Sequence, residues 1–302
     1  MTSIKEEIGD RLVIASVSGG KDSAAVCLWL REQGIEHGRV FADTGWEAQQ
    51  TYDYLRGPLT DALGPITEVR ADRQMVDWIQ HKAMFPSRQR RWCTSELKER
   101  PMFGHMFKRI AESGREVVNA VGIRAGESLK RRNLPEWDGY SDRRGDFDIW
   151  RPIIRWTVED VIGIHQRHGL RPNPLYFAGA ERVGCWPCIY SRKSEVKLIA
   201  EIDPGRIDLI ETLETEATIA ADARAASKGE TNHHPRTFFQ GQGPAALLPR
   251  GRGAMPIRDV VTWARTGRGG RQMMLLDAGD PDEGCLRWGM CEHPTDEQEG
   301  LL

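Results

Sequence analysis

Hydrophobic residues in the first half of the chain follow two alternating patterns. Short runs rich in β-branched residues, typical of buried strands, alternate with longer stretches whose apolar residues recur at helical spacing. Strands are predicted at 12–17, 39–42, 66–70, 116–123 and 149–154, and helices at 22–33, 47–63, 74–82, 95–112 and 157–168. Such alternation favours parallel strands joined by helical crossovers. The sequence therefore predicts an α/β fold with a doubly wound parallel sheet.

The pattern changes near residue 200. Helices are predicted at 195–202, 206–226 and 257–264, and residues 241–253 are rich in Gly, Pro and Arg, as in a linker or clamp. We therefore predict a first domain at 1–200 and a helical and Gly/Pro-rich extension at 201–302 with a Cys-containing tail. Within the first domain, residues 127–146 are long and polar enough to form a lid.

The overall composition is that of a globular protein. The 302 residues include 42 Lys and Arg against 44 Asp and Glu, a net charge of −2, and 39% are hydrophobic. No run approaches the roughly 18 consecutive apolar residues of a membrane helix. Residues 1–10 include Lys5, Glu6 and Glu7 where a signal peptide would be apolar, so we expect a cytoplasmic protein with no membrane partner. Six cysteines are too few for a disulfide scaffold.

Charge is unevenly distributed along the chain. Residues 82–155 contain 17 Lys and Arg against 10 Asp and Glu, whereas residues 277–302 contain eight acidic residues and one arginine. The middle third is therefore a candidate anion-binding surface, and the tail is expected to repel phosphate unless a metal intervenes.

The most specific local motif is Ser18–Ser23, with the sequence SGGKDS, between a predicted strand and a predicted helix. Two glycines let backbone N–H groups close around an anion, the helix start adds its positive dipole end, and Lys21 adds a charge. The hydroxyls of Ser18 and Ser23 are further candidate donors. The motif matches neither the Walker spacing nor the dinucleotide-binding glycine pattern. It predicts a phosphate-binding loop.

This motif resembles the pyrophosphate loop of the adenine nucleotide α-hydrolase superfamily. That superfamily includes ATP sulfurylase small subunits, sulfonucleotide reductases and tRNA-thiolating enzymes. Further segments resemble the phosphoadenosine phosphosulfate reductase and ATP sulfurylase small-subunit group, at 43–45, 122–131, 151–157, 174–176 and 183–188. The resemblance covers roughly residues 10–200 and implies that an adenine nucleotide lies across the ends of the strands.

The same resemblance implies a set of site residues. The nucleotide-binding set is Ser18, Gly19, Gly20, Lys21, Asp22, Ser23, Asp43, Thr44, Gly45, Gly122 and Arg124. Lys21, Asp22 and Arg124 are the implied catalytic residues, since Arg124 matches an arginine that meets the anionic group of the substrate. The implied ligand is ATP with Mg²⁺.

Cys185 and Cys188 form a CxxC motif that by itself fits half of a zinc site, a redox pair or two unrelated thiols. The segment 91–98 resembles a reductase segment in which a cysteine pair completes a four-iron, four-sulfur cluster with a later CxxC. Cys93 matches the first cysteine of that pair, and Thr94 replaces the second. The implied metal ligands are Cys93, Cys185, Cys188 and, from the tail, Cys291, with Cys285 as the alternative and zinc as the alternative metal.

Three functions remain open at this point. The first is cleavage of ATP at its α-phosphate to activate an acceptor for sulfur chemistry, with a sulfur donor protein as a possible partner. It is favoured because sulfonucleotide reductases usually lack a lysine at the position of Lys21. The second is reduction of adenylyl sulfate or its 3′-phosphorylated form. The third is sulfur modification of tRNA or DNA, which the net charge of −2 does not favour.

Overall fold

A six-stranded sheet lies at the centre of the computed structural model, which describes residues 4–231, 235–240 and 254–267. Its strands are β1 (Leu12–Val17), β2 (His37–Asp43), β3 (Thr67–Arg70), β4 (Val117–Val121), β5 (Trp137–Asp142) and β6 (Gly145–Trp150). They are ordered β3-β2-β1-β4-β6-β5, and all neighbours pair in parallel except β5, which is antiparallel to β6. The predicted α/β class and doubly wound sheet are confirmed.

The helices pack against this sheet and extend beyond it. They are α1 (Ile4–Ile8), α2 (Lys21–Glu32), α3 (Gln49–Tyr54), α4 (Thr60–Leu63), α5 (Met75–Lys82), α6 (Trp92–Thr94), α7 (Arg100–Ser113), α8 (Leu129–Arg132), α9 (Val158–Arg167), α10 (Lys193–Ile202), α11 (Pro204–Ala226) and α12 (Ile257–Ala264). Wider π-type turns, Leu55–Leu59 and Ser95–Glu99, join α3 to α4 and α6 to α7. No helix within the described residues is long and apolar enough to cross a membrane.

The order of the strands places a crevice beside β1. The chain leaves β1 towards β2 and β3 on one side and later returns to β4 and β6 on the other. Loops that follow neighbouring strands therefore diverge between β1 and β4, and ligands bind at such switch points in open parallel sheets. The core on both faces of β1 is closely filled: on one face Val13 and Val17 are 4% exposed and Ala15 is fully buried, and on the other Ile14 is 4% exposed.

Residues 137–150 form a hairpin, so the predicted lid at 127–146 is wrong over most of its length. Two of its aromatic residues, Tyr140 and Phe147, pack against α7, with the rings of Phe103 and Tyr140 4.2 Å apart and those of Phe103 and Phe147 5.2 Å apart. The indole rings of Trp137 and Trp150 stack at 5.0 Å. These contacts bury the hairpin against the sheet edge. The strand predicted at 149–154 accordingly ends at Trp150, and turns follow it.

The described C-terminal elements share one hydrophobic core with the segment after β2. α10, α11 and α12 pack around Trp46, Phe85 and Phe238. Strands β7 (Phe239–Gln240) and β8 (Ala254–Met255) pair beside them. The domain boundary at residue 200 stays a prediction.

Glu214 of α11 is a buried carboxylate that joins two separate segments of this region. It is 7% exposed, and its two oxygens accept the backbone N–H groups of Phe238 and Ile257, each at 2.9 Å. Burial raises the pKa of Glu214 to about 7, although the two N–H donors oppose this shift.

We expect Glu214→Ala to lower the free energy of unfolding by about 2–4 kcal/mol, because it leaves two buried N–H groups without an acceptor. Urea denaturation measures the loss. Glu216→Ala is the control, since the exposed Glu216 carboxylate makes a side-chain hydrogen bond to Gln80; its effect should stay within about 0.5 kcal/mol. Equal losses in both variants would contradict this role for Glu214.

The pKa of Glu214 also predicts a pH dependence. The pKa of Glu214 is higher in the folded than in the unfolded protein, so the folded state binds the carboxyl proton more tightly. The contribution of this protonation to stability therefore falls as the pH rises from 4.5 to about 7. Glu214→Gln cannot ionise and should lack this component. The measurement is the difference in unfolding free energy between wild type and variant at several pH values, and a constant difference would refute it.

Candidate functional site

The loop Ser18–Gly20 connects β1 to α2 at the crevice. Gly19 has φ = +73°, and a Cβ there would lie 2.8 Å from Thr51 Cγ2, so both backbone shape and space require glycine. The Ser23 hydroxyl donates to Gly20 O at 2.9 Å and accepts from Ser18 N at 3.1 Å. Ser23 therefore holds the curve of the loop from inside. The first N–H groups of a helix lack intrahelical acceptors, which makes the start of α2 a candidate anion site, although the Lys21 N–H is already donated to Tyr176 Oη.

Three side chains from the region after β6 hold this loop from outside. Asn173 Nδ2 donates to Gly19 O at 3.3 Å and to Thr51 Oγ1 at 3.2 Å. His165 Nε2 donates to Lys21 O at 2.9 Å, and Tyr176 Oη accepts from Lys21 N at 3.2 Å. Asn173 and His165 are fully buried. Sequence reasoning gave these residues no site role, because each acts on backbone atoms across more than 120 residues of chain.

Charged side chains surround the start of α2. The Lys21 ammonium lies 3.8 Å from Asp22 Oδ2 and 4.7 Å from the centroid of the Tyr176 ring. The Arg124 guanidinium, 5% exposed, pairs with the other Asp22 oxygen. Arg124 therefore already has a counter-charge in the described structure. Lys21, Asp22 and Arg124 lie together at the loop, and their catalytic role stays a prediction.

Gly122 explains how these charges come so close. It follows β4, and a Cβ at this position would lie 2.7 Å from the carbonyl carbon and oxygen of Asp22 and from Ser23 N. The end of β4 thus touches the backbone of the first turn of α2. Gly122 contributes space, whereas Arg124, two residues later, contributes charge.

The residues after β2 form the adjacent wall. Asp43 is 1% exposed and accepts from Gly45 N at 2.9 Å and from the Tyr52 hydroxyl at 2.7 Å. Thr44 is fully buried and donates its hydroxyl to Glu47 Oε1 at 2.8 Å. Gly45 has φ = +66°. Glu47 also accepts from the Tyr52 hydroxyl, at 3.0 Å. This carboxylate is buried, which the sequence pattern did not predict.

The CxxC loop docks on this same wall. Cys185 pairs with Glu47 in a short antiparallel bridge, Trp186 N donates to Trp46 O at 2.8 Å, and Trp46 Nε1 donates to Pro187 O at 3.0 Å. Tyr176, which meets Lys21, also hydrogen-bonds to the backbone of Val183. The candidate nucleotide loop and the CxxC loop are therefore connected through one buried ring.

Cys93, Cys185 and Cys188 pack against one hydrophobic core, although they come from two distant parts of the chain. Burial raises the pKa of Cys93 and raises that of Cys185 to about 11, against the opposing charge of Lys98. Attraction between the Lys98 ammonium and the Cys185 sulfur in its ionised form is the main cause that raises the pKa of Lys98.

Arg182 Nη2 lies 3.8 Å from Cys188 Sγ, so a second cation lies beside the thiols. Within the described residues, no three His, Cys, Asp or Glu side chains are arranged to hold a metal ion. The three thiols are soft donors with two cations nearby, which is the donor type of iron–sulfur and zinc centres, but the described structure does not arrange them around one metal position. Cys285 and Cys291 lie outside the described residues, and the ligand set stays a prediction. Cys27, by contrast, is buried in the core around β1.

Comparison with known proteins agrees with this geometry. The profile of the phosphoadenosine phosphosulfate reductase domain matches residues 12–191. The chain belongs to this family. The match spans the strands, the Ser18–Ser23 loop and the CxxC loop, so the family assignment covers every part of the site described above.

Individual relatives differ in how much they share. An uncharacterized 37.8 kDa protein of Escherichia phage 186 is 32% identical, over 92% of this chain and 96% of its own length. The adenosine 5′-phosphosulfate reductase of Streptomyces coelicolor is 42% identical, over 23% of this chain and 28% of its own. The phosphoadenylyl-sulfate reductase structure from Candida auris, a phosphate complex, aligns with a TM-score of 0.45 at 16% identity, over 60% of this chain and 84% of that one.

Because Gly122 lies against the backbone of α2, adding a single methyl group at this position should strongly affect nucleotide binding. Gly122→Ala should displace the first turn of α2 and weaken adenine-nucleotide binding at least about tenfold, since misplaced anion donors lose binding directly. Gly126→Ala is the control, because a Cβ there meets no atom within 4 Å. Isothermal titration with ATP and with adenylyl sulfate measures both variants. Similar affinities for the two variants would show that the loop tolerates the displacement.

Proposed function

We propose that this chain binds ATP at the Ser18–Ser23 loop and cleaves it between the α- and β-phosphates to activate an acceptor for sulfur chemistry. The observation that carries the proposal is the convergence of the glycine loop, the Lys21 ammonium and Arg124 at the start of α2. A triphosphate brings more negative charge to this point than a sulfonucleotide does. Lys21, which sulfonucleotide reductases usually lack, adds the matching positive charge.

Each residue then has a physical task. The N–H groups of the loop and of the first turn of α2 bind the leaving phosphates, and Lys21 neutralises their charge. Asp22 fixes the orientation of Arg124 towards the loop through their ion pair. An acceptor oxygen attacks the α-phosphorus. The bond between the α-phosphorus and the oxygen that bridges it to the β-phosphate breaks, so that pyrophosphate leaves and the adenylated acceptor remains. Mg²⁺, when bound to the nucleotide, supplies further charge neutralisation of the phosphates.

We further propose that Cys93, Cys185 and Cys188 hold a four-iron, four-sulfur cluster, with Cys291 as fourth ligand. Support comes from the soft donor set and from Lys98 and Arg182, whose charges offset those of thiolates. Such a cluster, when present, shapes the electrostatics of the wall that faces the nucleotide. Since the metal-free thiols have raised pKa values, loading the cluster must release protons.

Reduction of a sulfonucleotide is the second candidate. The family match and the named reductase among the relatives favour it. Incubation of anaerobically purified protein with ATP and, separately, with adenylyl sulfate and a thiol reductant distinguishes the two. Pyrophosphate from ATP supports the first function, and sulfite from adenylyl sulfate supports the second.

Lys21→Ala should lower pyrophosphate release from ATP by at least about 100-fold, because one charge aimed at the leaving group is lost. The fold should be retained, since Lys21 is at a helix start rather than in the core. Lys108→Ala is the control, as this exposed lysine pairs only with Glu112 in α7. Unchanged release by Lys21→Ala would defeat the proposed role.

Cys185→Ser and Cys188→Ser should each lose the brown chromophore, whereas wild type purified without oxygen should contain four iron atoms per chain. Cys291→Ser should give a partial, oxygen-sensitive cluster. Cys27→Ala, which changes a thiol in the other core, should keep full iron content. Metal analysis and absorption spectra report these outcomes, and stoichiometric zinc without iron would reject the cluster and indicate a structural zinc site.

A further inference from the structure

Five cations lie on the surface next to the three thiols. We call this the cationic face; its members are Lys82, Arg88, Arg90, Arg91 and Arg182. Among the described residues none of the five forms a salt bridge, although Arg182 interacts electrostatically with the buried Glu195. Arginines nearby are paired: Arg100 with Glu96 and Arg192 with Glu181. Like charges held together without counter-charges repel each other, so this face suits a polyanionic partner.

Aromatic rings lie between these cations. The Arg88 and Arg91 guanidinium groups lie 5.4 and 5.5 Å from the centroid of the Tyr190 ring. Lys82 Nζ lies 4.4 Å from the Trp78 ring and 6.0 Å from that of Trp92, and these two rings are 6.3 Å apart. Trp92 is buried, whereas Tyr190 and Trp78 are partly exposed, so the cationic face offers these two rings together with positive charge.

This combination decides between two kinds of polyanion. An acidic protein segment would use the charges but leave the rings without a role. Unpaired nucleic-acid bases stack on aromatic and guanidinium planes while phosphates bind arginine, and four of the five cations are arginine. We propose that the cationic face binds a single-stranded or looped segment of nucleic acid.

The position of the face connects it with the proposed function, on which this inference rests. Arg182 lies 3.8 Å from the Cys188 sulfur, Tyr190 follows Cys188 by two residues, and Arg91 precedes Cys93 by two. A strand bound here runs past the thiols, which lie on the wall of the nucleotide site. The bound nucleic acid is therefore the acceptor that the adenylation step activates. The net charge of −2 is no objection, because the acidic tail offsets a local excess of arginine.

The test is fluorescence anisotropy of the full chain with labelled 20-nucleotide single strands of DNA and RNA, and with the matching duplexes, at several salt concentrations. Arg88→Gln/Arg90→Gln removes two exposed charges from the face. Lys130→Gln/Arg132→Gln, from α8, removes two exposed charges elsewhere and is the matched control. For single strands, each phosphate contact contributes about 0.7 to the slope of the logarithm of affinity against the logarithm of salt concentration. The slope should therefore decrease by about 1.4 in the Arg88→Gln/Arg90→Gln double variant and stay unchanged in the control.

Two further variants separate stacking and catalysis from charge. Tyr190→Leu should weaken single-strand binding roughly 5- to 150-fold while keeping the salt slope, since a stacked base is lost but no charge is. Lys21→Ala should bind the single strands as tightly as wild type but release no pyrophosphate from ATP. Nucleic-acid binding and ATP cleavage are thereby tested independently, and either proposal can fail without the other.

Four results would overturn the inference: absence of single-strand binding, equal loss of slope in the α8 control, duplex binding as tight as single-strand binding, or equally effective displacement by polyglutamate. The last would identify an acidic protein as the partner. Single-strand binding that depends on Arg88, Arg90 and Tyr190 supports it.

Discussion

The backbone contact between the end of β4 and the first turn of α2 is the constraint on which the site depends. Gly122 lets the two segments meet at a distance that a Cβ would prohibit. This contact fixes where the helix begins, and hence where the N–H groups of its first turn and the side chains of Lys21 and Asp22 lie. Arg124 reaches Asp22 only because β4 ends at that point. The fold thus determines the charge geometry through a position that carries no side chain.

The nucleotide loop and the thiols belong to one connected structure. Tyr176 contacts Lys21 on one side and the backbone of Val183 on the other, and Cys185 follows Val183 by two residues. The CxxC loop is held in turn by Trp46 and Glu47, which follow the Asp43–Gly45 segment. A displacement of either loop must therefore move the buried contacts of the other.

Sequence patterns predicted the parallel core well and its edge poorly. β1 is a nearly continuous apolar run, β2 has an apolar centre at Val40–Ala42 and α2 follows a glycine motif, so their positions follow from local chemistry. The hairpin at 137–150 was missed because Arg, Asp and Gly separate its aromatic residues. Only the fold shows that Tyr140 and Phe147 pack against α7 while Trp137 stacks on Trp150. His165 and Asn173 were missed because they hydrogen-bond to backbone groups more than 120 residues away, and no local spacing signals such a partner. Glu47 accepts from the nearby Thr44 and Tyr52, but nothing in the local sequence signals that this carboxylate is buried.

The two cationic regions of the molecule differ in how their charge is balanced. At the nucleotide loop, Arg124 is buried and paired with Asp22, so its orientation is fixed before any ligand arrives. On the cationic face, the arginines are exposed and form no salt bridge within the described residues. Two of them, Arg88 and Arg91, lie over the Tyr190 ring. A buried, paired charge suits a small ligand that must be placed within a fraction of an ångström, because its geometry is preorganised. Exposed, unpaired charges suit a long and adaptable polyanion, because their gain comes from released counterions rather than from one fixed geometry.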